Sequence, residues 1–247
     1  MKENEKPIED YNFSLKKDEI KKIFNTSDYQ EYKKNKIKTQ KRKEKIYKFT
    51  SIGNSTNIIR NLIIINTILF VMSVYFIPMM INHFAIFPIW SANFKIWQPI
   101  TSMFLHGGWL HLILNMFVLW SFGNQIVDLI GSKKFLYIYL ISGIFGGILW
   151  MFFGTGPAVG ASGALCGLIA TYIFIAPETE VLLFFFIPIK IKKFVYGFAL
   201  FSLIFGLMSM INPAFGFGIG HFAHLGGLIG GYLITYYWKN KKLIPTF

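Results

Sequence analysis

Residues 154–167 run Gly-Thr-Gly-Pro-Ala-Val-Gly-Ala-Ser-Gly-Ala-Leu-Cys-Gly, a glycine-rich stretch that leads into Ser162. No charged residue lies between Lys134 and Glu178 around it. Irregular backbone at membrane depth is tolerated only where it is buried in protein or lines water. At membrane depth the stretch must therefore be buried in protein or line water. Composition leans away from water, with 247 residues, 53% hydrophobic and 18% aromatic content, 15% charged residues and a mean hydropathy of +0.46. A soluble domain carries roughly a quarter charged residues. Residues 1–60 hold 16 of the 25 Lys/Arg and 9 of the 12 Asp/Glu, leaving 9 and 3 for the remaining 187 positions. That remainder cannot coat a soluble core with polar surface. Its composition also excludes a disordered chain and a collagen-like fibre, and the single cysteine, Cys166, excludes an intramolecular disulfide scaffold.

Six apolar segments are expected, at about 58–81, 104–124, 134–153, 161–177, 194–211 and 219–238. Placing the tail in the cytoplasm puts Asp128, Lys133 and Lys134 on the inner side. Glu178, Glu180, Lys190, Lys192 and Lys193 fall there too, as do Lys239, Lys241 and Lys242. Only Lys95 then lies outside, as the positive-inside bias demands. Both termini are expected in the cytoplasm, with no cleavable signal ahead of Ile58. The net charge is +13, and most of the basic residues sit in the N-terminal tail, at Lys33, Lys34, Lys36, Lys38, Lys41, Arg42, Lys43, Lys45, Lys48 and Arg60 among others. That placement suits topology and anionic lipid headgroups rather than nucleic acid. The 82–103 connection carries Phe84, Phe87, Trp90, Phe94 and Trp97, a density expected of a segment lying in the interface.

Three polar intrusions interrupt the apolar part. One is the run from His106 to Asn115, in which His111 and Asn115 share a helix face. The second is Gly160-Ala-Ser162-Gly163, and the third runs from Gly220 through His221 and His224 to Gly227. Ser162 stands 15 residues before Pro177, and His224 the same distance before Lys239. At about 1.5 Å per residue both lie roughly 22 Å from the inner edge of a core about 30 Å thick. His111 and Asn115, 17 and 13 residues before Asp128, bracket that level. Gly163/Gly167, Gly226/Gly230 and Gly227/Gly231 allow the fourth and sixth segments close approach. A serine hydroxyl is a weak nucleophile until a base takes its proton, and His224 is the base available. The three acids beyond residue 60, Asp128, Glu178 and Glu180, all fall on the cytoplasmic side, so a Ser–His dyad is expected rather than a triad. His111, Asn115 and the Ser162 amide would serve a developing oxyanion.

His111-x-x-x-Asn115, Gly160-Ala-Ser162-Gly163 and Ala223-His224-Leu-Gly226-Gly227, in that order, resemble the rhomboid intramembrane serine proteases over about residues 58–238. The resemblance implies an all-α, six-transmembrane-helix bundle with a water-filled catalytic cavity open to the outer face. It implies cleavage in or beside the transmembrane segments of membrane-anchored substrates, often after a small residue. It assigns Ser162 as nucleophile, His224 as general base, and His111, Asn115 and the Ser162 amide as oxyanion hole. The fifth segment and residues 82–103 resemble the family's substrate-access side. Two positions depart from the family pattern. Trp97-Gln98 replaces the usual Trp-Arg, which puts the anchoring of this loop in doubt. Cys166 stands where an aromatic ordinarily packs on the catalytic histidine, so Tyr172 or a phenylalanine is expected to hold His224. Cys166 itself is expected to be a small buried helix residue. His106 and His221 are expected to be hydrogen-bonding cavity residues, and His83 an interfacial one.

The expected organisation is a basic cytoplasmic arm (1–57), a six-helix core (58–238) and a short cytoplasmic tail (239–247), in a bacterial inner membrane. Within the arm, 15–24 has the pattern of a short amphipathic helix, against a Lys-rich polarity suited to a flexible or lipid-associated segment. The absence of a His-Glu-x-x-His helix argues against a membrane metalloprotease, and the absence of two intramembrane aspartates against an aspartyl type; no cofactor or metal is expected. Two rival readings stay open: a non-catalytic relative that binds membrane proteins, and a channel or transporter.

Overall fold

Pro78 divides the first apolar run. In the computed structural model, which describes residues 55–183 and 186–245 with seven further positions between 26 and 34, helix α1 (Ser55–Tyr75) stops before it. A new helix, α2 (Ile77–Phe84), then starts with the proline in its first turn. Proline has no N–H to give and its ring clashes with the carbonyl four residues back, so it is tolerated at a helix start and not within. The expected span of 58–81 is corrected accordingly. The described residues fall into two units, within Met1–Lys48 and Phe49–Phe247. The 15–24 segment and the basic positions from Lys36 to Lys48 lie outside the described residues.

After α2 come a one-turn helix α3 (Gln98–Thr101), α4 (Trp109–Ile130), α5 (Ser132–Phe153) and α6 (Ser162–Ile175). A hairpin of β1 (Glu180–Leu183) and β2 (Ile187–Lys190) leads to α7 (Ile191–Ile211) and α8 (His221–Asn240). Among the described residues four helices are long and apolar enough to cross a membrane: α1, α4, α5 and α7. The apolar α6 has only 14 residues. The chain is a mostly helical integral membrane protein. The surface of α1 and α7 bears it out, with Ile64, Ile65, Ile68, Leu200, Leu203 and Leu207 all exposed. Water would not tolerate apolar patches of that extent on a monomer.

α6 is the central element, with nearly every residue from Gly163 to Ile175 buried. α5 and α8 pack on it and on each other, α4 flanks it, α1 lies on α4, and α7 packs mainly on α8. Glycine makes this centre possible. A Cβ on Gly227 would overlap the carbonyl oxygen of Gly163, and one on Gly231 that of Gly167. Gly163/Gly167 and Gly227/Gly231 are thus contact points between the α6 and α8 backbones, whereas the expected Gly226/Gly230 pair instead faces α5, at Phe145, Gly146 and Ser142. The third wall comes from α5, where a Cβ on Gly146 would meet the Ala223 carbonyl oxygen at 2.7 Å and one on Gly147 would meet Pro99.

Residues 178–193, whose charges mark an inner loop, contain this hairpin. Its antiparallel register sets Glu180 opposite Lys190 and Leu183 opposite Ile187. Lys190 Nζ donates to Glu178 Oε2 at 2.6 Å across its base, which holds the Glu178 carboxyl below its ordinary range.

Candidate active site

The glycine-rich stretch ahead of α6 is held from three sides. Ile86 and Ala158 exchange backbone hydrogen bonds, both 2.9 Å, and the Gly160 amide donates to the Ser102 carbonyl at 2.9 Å. The Trp150 indole donates to the Gly156 carbonyl at 2.8 Å. Gly160 has φ +132°, in the region that favours glycine, and this turn delivers Ser162 to the first position of α6. There the Ser162 amide has no carbonyl one turn back to bond.

His224 lies in the first turn of α8, and its Nε2 stands 2.8 Å from Ser162 Oγ. The bond joins two helices across 62 residues of chain and depends on the glycine contacts between α6 and α8 just below it. The other ring nitrogen, Nδ1, has no hydrogen-bonding partner among the described residues. The Phe198 ring, from α7, lies 5.6 Å from the imidazole, centroid to centroid, at 32°. The aromatic expected against His224 is thus Phe198. Tyr172 is elsewhere, donating to the Phe122 carbonyl at 3.0 Å and packing on the Phe122 ring.

His111 and Asn115 stand on one face of α4. The Gly107 amide donates to His111 Nδ1 at 3.3 Å, so the neutral imidazole carries its proton on Nε2. That nitrogen faces Gly160, where an added Cβ would come within 2.7 Å of it. Asn115 Nδ2 donates to the His111 carbonyl at 2.8 Å, and the amide's second N–H remains for another acceptor. Ser162, His224, His111, Asn115 and Phe198 line one cavity of about 1130 Å³.

His106 and His221 are not among the cavity-lining residues, contrary to expectation. Each is buried as a ring among rings: His106 edge-on to His111 at 5.2 Å, and His221 against Phe201 and Phe205 at 5.6 and 5.8 Å. Cys166 is buried, as expected. The doubt over Gln98 is removed. Its side chain is fully buried, accepts from the Phe87 and Lys95 amides at 3.4 and 3.0 Å and donates to the Asn93 carbonyl at 2.8 Å. A neutral amide with a donor and an acceptor thus ties together the loop from Phe87 to Gln98. Among the described residues no group of three or more His, Cys, Asp or Glu is placed to hold a metal ion.

A family model described as "Rhomboid domain" matches residues 93–241. The chain belongs to the rhomboid family, an integral membrane family whose members include proteins named as proteases. Among similar proteins, the "Rhomboid protease GluP" of Bacillus subtilis (strain 168) is 33% identical over 144 residues, 57% of this chain and 26% of that protein. The "Putative rhomboid protease YdcA" of the same organism is 34% identical over 155 residues, 61% and 71% of the two chains. The mouse "Presenilin-associated rhomboid-like protein, mitochondrial" is 32% identical over 154 residues, 58% and 40%. The match thus spans a quarter of the first of these relatives and two fifths of the mouse protein.

Proposed function

We propose that the protein is an intramembrane serine endopeptidase acting on membrane-anchored substrates through Ser162 and His224. The observation that carries this reading is the 2.8 Å Ser162–His224 bond, set opposite His111 and Asn115 in one cavity. As a substrate carbonyl enters, His224 Nε2 takes the Ser162 proton while Oγ attacks the carbonyl carbon. The oxyanion that forms is met by His111 Nε2–H, the free N–H of Asn115 and the Ser162 amide. Such prearranged donors are worth about 10²–10³-fold each. The intermediate collapses when the imidazolium gives its proton to the leaving amine. Water, deprotonated by the same histidine, then hydrolyses the acyl-enzyme.

On this reading α1, α4, α5, α6, α7 and α8 are six spans, both termini are cytoplasmic and the cavity opens outward in a bacterial inner membrane. The short α6 supports the arrangement. Its 14 residues reach only about 21 Å, so its first residue starts inside a core of about 30 Å. The 1–57 arm contacts anionic lipid or sets topology, and no cofactor takes part. The test is proteolysis in liposomes holding the full chain and a panel of single-pass segments with small residues near the outer edge. Cleavage by the parent and none by Ser162→Ala supports the proposal. A folded parent that cleaves none but still captures the segments favours a binding relative.

A further inference from the structure

Resting on that proposed function, we infer that Phe198 is a positioning residue for His224, supplying from α7 the ring that sets the plane of the catalytic imidazole. The need for such a residue follows from what else holds the histidine. Its Nε2 is tied to Ser162 Oγ at 2.8 Å, and its Nδ1 has no partner among the described residues. One hydrogen bond fixes one atom of the ring. The terminal torsion of a histidine is broad, so rotamer preference does not fix its plane. A carboxylate on Nδ1 would ordinarily do so, but Asp128, Glu178 and Glu180 are the only acids after residue 60. Asp128 lies in the last turn of α4, and the two glutamates lie at the hairpin.

Packing remains, and three elements offer it. On α6, one turn beyond Ser162, Cys166 presents a thiol rather than a ring. On α8 itself His221 is edge-on at 6.5 Å and 83°. Among the described residues only Phe198 presents an inclined ring, at 32° and 5.6 Å, within the ordinary range for aromatic pairs. Phe198 is itself braced by Phe194, nearly parallel at 5.9 Å, and by Phe201 at 6.4 Å. The base is thus steadied by a helix that carries neither the nucleophile nor the base.

The experiment measures the rate of Ser162 labelling by a fluorophosphonate, with thermal unfolding alongside, for the full-length parent and Phe198→Ala, Phe198→Tyr and Phe205→Ala. Phe205 packs on His221 from the same helix and does not meet His224, so its truncation reports on loosening of α7 against α8. The expected result is a fall of about tenfold or more for Phe198→Ala, since small misplacements of a catalytic group are costly. Phe198→Tyr, which keeps the ring, should restore labelling to within about threefold of the parent, and Phe205→Ala should stay in the same range. Parent-like labelling by Phe198→Ala, or an equal fall in Phe205→Ala, overturns the inference while leaving the proposed function standing. If Phe198→Ala does not fold, Phe198→Leu replaces it: slow labelling at an unchanged melting temperature supports the inference, and parent-like labelling overturns it. A folded parent that does not label at all overturns both readings, because there is then no activated serine to serve.

Discussion

Alanine at Gly227 should disable the site without touching any residue in it. The new methyl would overlap the Gly163 carbonyl oxygen and stand 2.6 Å from the carbonyl carbon and 3.0 Å from Cα. Ordinary contacts between such atoms fall at about 3.5–4.0 Å, so α6 and α8 must part by about 1 Å. Ser162 is the residue before Gly163, and His224 lies one turn before Gly227. The same separation therefore carries the 2.8 Å Ser162–His224 bond to about 3.8 Å, beyond reach for proton transfer. A displacement of about 1 Å at a catalytic group costs on the order of 100-fold. Overpacking of this kind costs about 1–3 kcal/mol of stability. The assay is the second-order rate of fluorophosphonate labelling, with helicity by circular dichroism and a thermal melt on the same sample. Gly197→Ala is the control, because a Cβ on Gly197 of α7 meets nothing within 4 Å. Parent-like labelling by Gly227→Ala with an unchanged melting temperature would refute the claim that backbone contact between α6 and α8 sets the dyad.

Gly160→Ala places its Cβ 2.7 Å from His111 Nε2 at a φ of +132°; it should lower kcat by about 10²–10³-fold, like the loss of an oxyanion donor, as single-turnover cleavage would show. Gln98→Ala leaves the buried Phe87 amide and the half-buried Lys95 amide without their acceptor and should cost about 1–3 kcal/mol in a denaturation experiment. The Glu178–Lys190 pair gives a pH prediction. Glu178's carboxyl is held below its ordinary 4.5 by the Lys190 hydrogen bond and charge. Its contribution is therefore present above the unfolded value and lost as pH falls through the lower folded one. The melting-temperature gap between the parent and Glu178→Gln should be small at neutral pH, as the pair is exposed, and should close below pH 4.5.

The site was more legible in the sequence than the packing that holds it. Ser162, His111, Asn115 and His224 stand out because polar groups are costly among apolar residues and therefore rare there. Their common depth could be counted from Pro177, Lys239 and Asp128. The paired glycines of α6 and α8 were visible by spacing. The roles of Gly146, which meets α6 and α8, and of Gly143 and Gly147, which meet Met103 and Pro99, are not legible, since a glycine in an apolar run does not say which neighbour approaches it. Phe198 was hidden among 27 phenylalanines, and only the fold selects the one that faces His224. The break after Tyr75 is masked in the sequence by apolar residues that continue unbroken on both sides of Pro78. The hairpin is not legible because residues 181–189 are a short apolar run whose flanking charges, Glu180 and Lys190, also suit a plain inner loop. At Gln98 a departure from the family pattern suggested a weaker loop, whereas the amide makes three hydrogen bonds there.

The most direct test of the central claim is to label the purified, detergent-solubilised protein with a fluorophosphonate and locate the adduct by peptide mass spectrometry. Ser162→Ala and His224→Ala would be run beside it. The account predicts one adduct, on Ser162, lost in both variants. A folded parent without an adduct, or an adduct on Ser162 that survives His224→Ala at full rate, would contradict it.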